Sequence, residues 1–421
     1  MDIHAITAPE AMQMAREHLN TTGWITHKNE SFRHLPPPPA ALWVTPSADA
    51  PAVVNSGWSL TALGGGTPTG ITARSLAATD TAQRAELFAN LDLPGNRDGS
   101  SDHNQDATPF AWAHRALCTV GLRVRVDAGS PQQPAQLELR HQATSQVEAP
   151  LLVLDIAEGV HCVLRELHLE SNPAIVGGNV QNLQLHVRLA RGASLQHLRV
   201  LAPHAEDRVA HIVHAQVGED ARYVQAFVAG GSSYHLQRSQ VQLAGAGASA
   251  HIAGLHCAAD TKLEQQVFMR HAAARTTSHS EALVLASGKA HTVANANTYI
   301  APGADEADVH QHLVGIPLGG IPLGGMPLGG QPRLVLRPHL EIYHDNVQAE
   351  HGATWGALPE DALFYARQRG LDATAARSLI IQGMAKALLA RSFTDVATLE
   401  ALVQGAELES VLRQVLEVAH G

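Results

Sequence analysis

The 421-residue chain has few aromatic residues and few cysteines. Phe, Trp and Tyr together make up 4% of it, although hydrophobic residues as a group make up 45%. Its core must therefore be built mainly from small and aliphatic side chains, which suits thin stacked layers. The length exceeds what one hydrophobic core usually serves, so we expect two or three structural units.

The three cysteines, Cys118, Cys162 and Cys257, are far apart and form no C-x-x-C pair. This spacing excludes a disulfide framework and a cysteine-based zinc site. Because free cysteine is usually buried in proteins, we expect three buried, reduced thiols.

The sequence also lacks a basic run and a long apolar run. Its 29 Lys and Arg against 39 Asp and Glu give a formal net charge of −10, so it has no general attraction for nucleic acid or an anionic membrane. No stretch approaches the roughly 18 apolar residues of a membrane span, and residues 1–20 lack the apolar core of a signal peptide. We expect a soluble, cytoplasmic protein that binds neither nucleic acid nor membrane.

Familiar catalytic motifs are missing as well. The chain contains no G-x-x-x-x-G-K-[ST], G-x-S-x-G or H-E-x-x-H, and no G-x-G-x-x-G that opens a helix. A β-helix carbohydrate-active enzyme (a polysaccharide lyase or hydrolase) would need paired acids in a groove, and that alternative stays open. The acids of the middle segment are scattered: Asp155, Glu158, Glu166, Glu170, Glu219, Asp220, Asp260 and Glu264.

Three segments differ in their residue pattern. Residues 1–105 are predicted to be mixed and partly helical, with helices at 9–19 and 81–91. Residues 106–356 form the predicted β core, because strand-like alternation continues without a convincing helix between 120 and 313. The remainder, 357–421, is predicted to be a helical domain.

Glycines recur through the β segment at a regular spacing. Gly192, Gly218 and Gly245 each open a turn that runs into an alternating strand, and they are 26 and 27 residues apart. A strand-rich repeat of this period predicts a mainly β fold, a parallel β-helix of stacked strands. A β-sandwich is the alternative.

Residues 315–330 contain three tandem copies of G-[IM]-P-L-G. Each proline lacks the backbone N–H that a β-sheet hydrogen bond needs, and each Gly-Gly pair allows many backbone conformations. The segment should therefore not form a central strand. We expect a loop inserted between strands, without a catalytic role.

The C-terminal segment has clear helix signals. Helices are predicted at 359–369, 372–391 and 395–420, with Asp372 as an N-cap and Gly370 as the residue after a helix end. A small helical bundle cannot bury all its apolar faces, so some should face the β-helix or a partner. The predicted stripe of the second helix is Ala376, Ile380, Met384, Ala387 and Leu388.

Histidine is unusually frequent, at 26 residues. The sequences HIVH at 211–214 and VHQH at 309–312 are either metal-binding pairs or histidines that decorate a strand. Since no third ligand is evident near either pair, the second interpretation is favoured.

Residues 337–384 strongly resemble the signature region of the SufB/SufD family of iron–sulfur cluster assembly scaffolds. The pattern P-x-L-E-I, D-D-V, H-G-A-T-x-G and L-F-Y-x-x-x-R-G is met at 338–342, 345–347, 351–356 and 363–370, with Asn346 in place of an acid. Weaker resemblance covers 106–129 and 268–290, whereas the first 100 residues match poorly. The G-[IM]-P-L-G copies are not part of the family pattern.

Two departures indicate the SufD branch of the family. The SufB branch has a functional cysteine on a strand upstream of the histidine motif, and 307–315 contains none. Gly352 stands where SufB-like chains have glutamate. The resemblance implies a right-handed parallel β-helix flanked by N- and C-terminal helices, acting as a non-catalytic scaffold.

The resemblance also implies partners and site residues. A SufB-like partner would pair through the β-helix, and His351 would be the candidate ligand for iron or a transient iron–sulfur cluster at that interface. A SufC-like ABC ATPase would bind the C-terminal helices. The candidate docking residues are Leu363, Phe364, Tyr365, Arg369, Ile380 and Met384. No resident cofactor is implied, and no motif for flavin is present.

Two further alternatives concern His351 and the assembly. His351 could be a ring packed at a strand end and hydrogen-bonded to the backbone. The chain could also form a homodimer, either in isolation or as a purely structural protein without metal.

Overall fold

The computed structural model describes residues 6–45, 56–91, 106–169, 175, 177–318, 331–393 and 396–404. It is a mainly β protein, a parallel β-solenoid of about 7 turns with helices before and after it. The predicted β-helix is confirmed, and the sandwich alternative is wrong because successive strands alternate between two sheets and pair in parallel.

Each turn contributes one strand to each of two sheets. The first sheet has nine strands, in the order β1 Trp58–Ala62, β4 Ala135–His141, β7 His161–Leu169, β9 Ser194–Ala202, β11 Arg222–Gly230, β13 Ser249–Ala259, β15 Thr277–Ser287, β17 Ala307–Pro317 and β19 Val347–Trp355. The second has ten, in the order β18 Arg333–Ile342, β16 His291–Ile300, β14 Lys262–His271, β12 Tyr234–Leu243, β10 Arg208–Val217, β8 Val180–Leu189, β6 Leu151–Ile156, β3 Val120–Val126 and β2 Ile71–Ala77, with short β5 Val147–Glu148 beside β8. Among the pairs of described strands, only β1–β4 and β2–β3 are antiparallel.

The glycine spacing of the sequence corresponds to one solenoid turn. Gly192, Gly218 and Gly245 precede β9, β11 and β13, three neighbouring strands of the first sheet. A Cβ at Gly245 would lie 2.1 Å from the amide nitrogen of Glu219 in the turn below. Glycine is required here because the corners of successive turns stack in direct backbone contact.

Helices flank the solenoid on both sides. They are α1 Ala8–Thr22, α2 Ala41–Val44, α3 Thr81–Leu87, α4 Thr108–Leu117, α5 Glu360–Gln368, α6 Ala373–Ser392 and α7 Val396–Val403, with a 3₁₀ turn at Glu30–Phe32. The helices predicted at 9–19, 359–369 and 372–391 are confirmed, and the one at 81–91 ends early, at Leu87. Of the helix predicted at 395–420, α7 covers 396–403, whereas residues 395 and 405–420 lie outside the described residues.

Two boundary predictions need correction. The segment predicted as β core begins with a helix, because Pro109 and the apolar face around Phe110 favour α4 at 108–117 before the first core strand. The repeat segment begins inside a strand, since 315–317 form the end of β17 between β15 and β19. Pro317 is tolerated there because it is the last residue of the strand. Residues 319–330 lie outside the described residues.

Side chains alternate between the solenoid interior and its outer faces. The interior is packed mainly by aliphatic residues. The outer face of the first sheet is covered by α6, through Ile381, Ala385, Leu388 and Leu389, and by α7, through Leu402. The outer face of the second sheet is covered by the N-terminal segment around Phe32, Trp43 and Phe110.

The predicted stripe of α6 is partly wrong. Ala376 and Leu388 are buried and Ile380 and Met384 half-buried, but Ala387 is exposed. Ala387 lies two residues after buried Ala385, and therefore about 200° further round the helix.

All three cysteines are buried and free, as expected. Burial raises the pKa of Cys118 and of Cys162 to about 12, and it also raises the pKa of Cys257. These thiols pack as small apolar groups and are not poised to react.

Candidate partner-facing site on the last solenoid turn

His351 lies in the middle of β19, the last strand of the first sheet. β19 pairs with β17 on one side, and no described strand pairs with its other edge. The His351 side chain is exposed. The alternative of a ring packed at a strand end is therefore wrong.

His351 belongs to the row of β19 that continues the solenoid interior. Ala349 and Ala353, two residues to either side, pack against interior apolar clusters. Glu350 belongs to the outer row, where its Oε2 lies 3.7 Å from His310 Nδ1. His351 is exposed because the interior opens at this last turn.

Gln311 is the register partner of His351 on β17, and it is buried. Its Nε2 donates to Thr298 Oγ1 at 2.9 Å and to the backbone oxygen of His339 at 3.1 Å. Its Oε1 is buried without a hydrogen-bond partner. An unsatisfied acceptor thus lies in the strand next to His351, and burying such a group costs about 1–3 kcal/mol.

The turn between β18 and β19 explains the one departure from the family pattern. Asn346 Nδ2 donates to Asp305 Oδ1 at 2.7 Å in the neighbouring turn. This hydrogen bond is the main cause that lowers the pKa of Asp305. An acid at 346 would face Asp305 with like charge, so the amide suits this pair.

Large apolar side chains are exposed at the same end of the solenoid. Ile342, Tyr343 and Trp355 are 45%, 57% and 57% exposed. The sequence analysis did not identify them as surface residues. Together with the unpaired edge they form a surface typical of protein–protein contacts.

Neither predicted histidine pair converges with a third potential metal ligand among the described residues. His211 of HIVH lies in the interior beside Gln181, whereas His214 lies on the outer face and stacks on His186 at 4.7 Å. His310 of VHQH stacks on His279 at 4.7 Å in an outer row of histidines that begins at His251. Across the described residues, no group of three or more potential metal ligands converges.

The outer histidine row is tied to the C-terminal helices. Glu281 on β15 accepts from His251 Nε2 at 3.1 Å and from Arg391 Nη2 of α6 at 2.8 Å. Burial alone would raise the pKa of Glu281, but these hydrogen bonds outweigh it and lower the pKa to about 2. The pair helps to seat α6 on the first sheet.

The candidate docking residues of the helical segment divide into two groups. Phe364 and Tyr365 on α5 are 65% and 59% exposed, and the Arg369 guanidinium lies 4.6 Å from the Tyr365 ring centre. The other three residues are half-buried and pack on the layer that covers the first sheet: Leu363, Ile380 and Met384. Leu379 and Val396, 56% and 69% exposed, are further apolar surface residues that the sequence prediction missed.

The acids considered for a carbohydrate-active enzyme lie apart. Glu166 is buried in the interior on β7, and Glu264 is buried on β14 of the opposite sheet, close to the N-terminal segment. Asp155 pairs with Arg123 and Arg188. Glu170 lies outside the described residues. Glu166, Glu264 and Asp155 thus provide no acid pair in a common groove.

The fold and the site together define a class of protein, a parallel β-solenoid with flanking helices whose last turn ends in an open, partly apolar edge. The family model described as SUF system FeS cluster assembly, SufBD core domain, matches residues 139–384. This match covers more than half of the chain, and the chain belongs to this family. None of the described helices is long and apolar enough to cross a membrane.

Two relatives show the same family relationship. The chain is 25% identical over 239 residues to the iron–sulfur cluster assembly protein SufD of Escherichia coli K12, covering 56% of this chain and 53% of that protein. It is 44% identical over 57 residues to an iron–sulfur cluster assembly SufBD family protein of Synechocystis, covering 14% and 13%. The chain thus matches about half the length of the first relative and a short part of the second.

Proposed function

We propose that the chain is a SufD-like scaffold subunit of the SUF iron–sulfur cluster assembly system, without catalysis of its own. The observation that carries this proposal is the extent of the family match, from β4 to residue 384 in α6. Both candidate surfaces, the last solenoid turn and α5 with the first half of α6, fall within it.

The last turn is the proposed surface for a SufB-like partner. The edge of β19 offers backbone donors and acceptors to another strand, and adding a strand to a sheet edge is a common recognition mode. Exposed Tyr343 and Trp355 would add buried apolar area around that edge. A homodimer through the same edge is the expected state only when the partner is absent.

His351 is the proposed contact to iron or to the nascent cluster, which is cargo of the complex. Its exposed imidazole offers a borderline nitrogen donor, which suits iron. The described chain holds no group of three ligands, and its cysteines are buried. The partner would therefore have to supply the remaining ligands, thiolate among them.

The helices after the solenoid are the proposed docking site for a SufC-like ATPase. Phe364 and Tyr365 form an exposed aromatic pair, with Arg369 stacked on Tyr365. Aromatic residues and arginine are the residue types that most often dominate binding energy at interfaces. Because α6 packs directly on the first sheet, movement of the helices by the ATPase would be transmitted to the solenoid.

Co-purification with SufB and SufC separates these contacts. Phe364→Ala/Tyr365→Ala should abolish SufC binding and keep SufB binding, whereas His351→Ala should keep both and impair cluster maturation in cells. Glu350→Ala, on the outer row beside His351, is the matched control, and cells that carry this variant should mature clusters normally. A chain that binds neither protein would refute the scaffold role, and normal maturation with His351→Ala would remove His351 from it.

A further inference from the structure

We infer that Gln311 positions His351 once a partner covers the edge of β19: its Oε1, which has no hydrogen-bond partner in the structure, would then accept the Nδ1–H of the ring and leave Nε2 as the nitrogen that faces the partner. The inference rests on the proposed function, because it names the residue that prepares the histidine for its cargo. It assigns to Gln311 a role as a positioning residue, since Gln311 itself does not reach the edge.

The orientation of the Gln311 amide follows from its contacts. The backbone oxygen of His339 only accepts hydrogen bonds, so the amide group 3.1 Å from it must be Nε2. The same Nε2 lies 2.9 Å from Thr298 Oγ1. With both donors directed to β16 and β18, Oε1 is the atom left over, buried and without a partner.

The register places the histidine ring next to that atom. Gln311 and His351 are directly paired across β17 and β19, in the same interior row, and side chains in such a pair are roughly 5 Å apart at Cβ. The flanking residues of the row on β19 are alanines at 349 and 353, which offer no hydrogen-bond donor in their side chains. His351 therefore carries the nearest side-chain donor within β19.

The choice of nitrogen follows from the shape of the ring. Nδ1 is the ring nitrogen nearer the backbone, and Nε2 is at the far end of the ring. A hydrogen bond from Nδ1 to the neighbouring strand would therefore leave Nε2 for the partner. Histidines that bind metals usually donate their other ring N–H to an oxygen, which fixes the tautomer and orients the ring. Docking of a partner would exclude water from this edge and strengthen such a hydrogen bond.

The test measures binding of Co²⁺, a spectroscopic substitute for Fe²⁺, to the purified complex with SufB. Gln311→Met removes the acceptor while filling a similar volume, and should weaken Co²⁺ binding about 10–100-fold without changing complex formation. Gln311→Glu restores an acceptor of similar size, so it should recover the Co²⁺ affinity. Thr298→Val removes one hydrogen bond that holds the amide and should have an intermediate effect.

Control variants distinguish a positioning role of Gln311 from a loss of folding and from a failure of the proposed function itself. Gln348→Met, on the outer row of β19, should leave Co²⁺ affinity unchanged, and thermal unfolding should show each variant to be folded. Equal affinity of Gln311→Met and the wild type, with His351→Ala weakened, would overturn the role of Gln311 alone. Unchanged affinity with His351→Ala would instead overturn the metal role of His351.

Discussion

Replacing Arg199 by methionine removes the only guanidinium that contacts Glu166 among the described residues. Glu166 is fully buried, and Arg199 is 1% exposed. Arg199 donates to Glu166 Oε1 through Nη2 at 2.8 Å and Nε at 3.1 Å, while His197 and His168 contact the same carboxylate at 2.9 Å and 2.5 Å. Removing one partner of a buried ion pair costs about 3–5 kcal/mol, and we expect this loss for Arg199→Met at pH 7.

The loss should depend on pH. Burial alone would raise the pKa of Glu166, but the charge of Arg199 and the two histidine hydrogen bonds hold it well below its usual range. In the wild type this depressed pKa contributes stability above the unfolded carboxyl pKa of about 4.3, and the contribution is lost as the pH falls through the folded value. In Arg199→Met burial raises the pKa instead, so the carboxyl is protonated at low pH and the difference between the two proteins shrinks.

Urea unfolding followed by circular dichroism at pH 4 and pH 7 measures both effects. The double variant Glu166→Gln/Arg199→Met replaces the ion pair by uncharged groups and should be more stable at pH 7 than Arg199→Met alone. The reasoning fails if Arg199→Met lowers stability by less than about 1 kcal/mol, if the loss is equal at both pH values, or if the second substitution gives no recovery.

Two further predictions concern Glu264 and the glycines. Burial raises the pKa of Glu264 to about 8, so wild-type stability should fall between about pH 5 and 8 as the unfolded chain alone loses this proton. In Glu264→Gln the urea midpoint should no longer fall over this pH range. The prediction is wrong if the midpoints of the variant and the wild type change with pH in parallel. Gly245→Ala places a Cβ 2.1 Å from Glu219 N and should cost about 1–3 kcal/mol, whereas exposed Gly383→Ala in α6 should stabilise by roughly 0.5–1 kcal/mol. Equal midpoints of these two variants would refute the close stacking of turns.

The stacking of turns was predictable because it leaves a periodic pattern in the sequence. Gly218 and Gly245 stand where the backbones of successive turns touch, Gly192 has a positive φ of 62°, and the spacing between these glycines is the length of one turn. The N-cap at Asp372 was predictable for the same reason, since its Oδ1 accepts from Ala375 N at 2.8 Å only three residues away. Signals of this kind can be recognised in the sequence without knowledge of the tertiary contacts.

The row occupied by His351 was not predictable. A shift of one residue in strand pairing exchanges the two rows, and the pairing of β19 is set by contacts 40 residues apart, such as Glu306 N to Asn346 O. The predicted stripe of α6 was partly wrong for a related reason. Residues 385–389 contain two alanines and two leucines, and only the shape of the first sheet decides which of them face it.

The two ends of the described solenoid differ in their edge strands, and this asymmetry favours the last turn as the proposed partner surface. At the first turn the chain folds back antiparallel, so that short strands β1 and β2 cover β4 and β3, and α3 packs beside β2. Short, covered edge strands are the usual protection against further pairing. At the last turn β18 and β19 are 10 and 9 residues long, parallel to their neighbours, and no described strand follows them. An uncapped solenoid end exposes a row of backbone groups and interior side chains, a state that repeat proteins avoid unless another chain covers it. The open end is the one that carries His351, Tyr343 and Trp355, and His351 lies at the surface because no described strand covers β19.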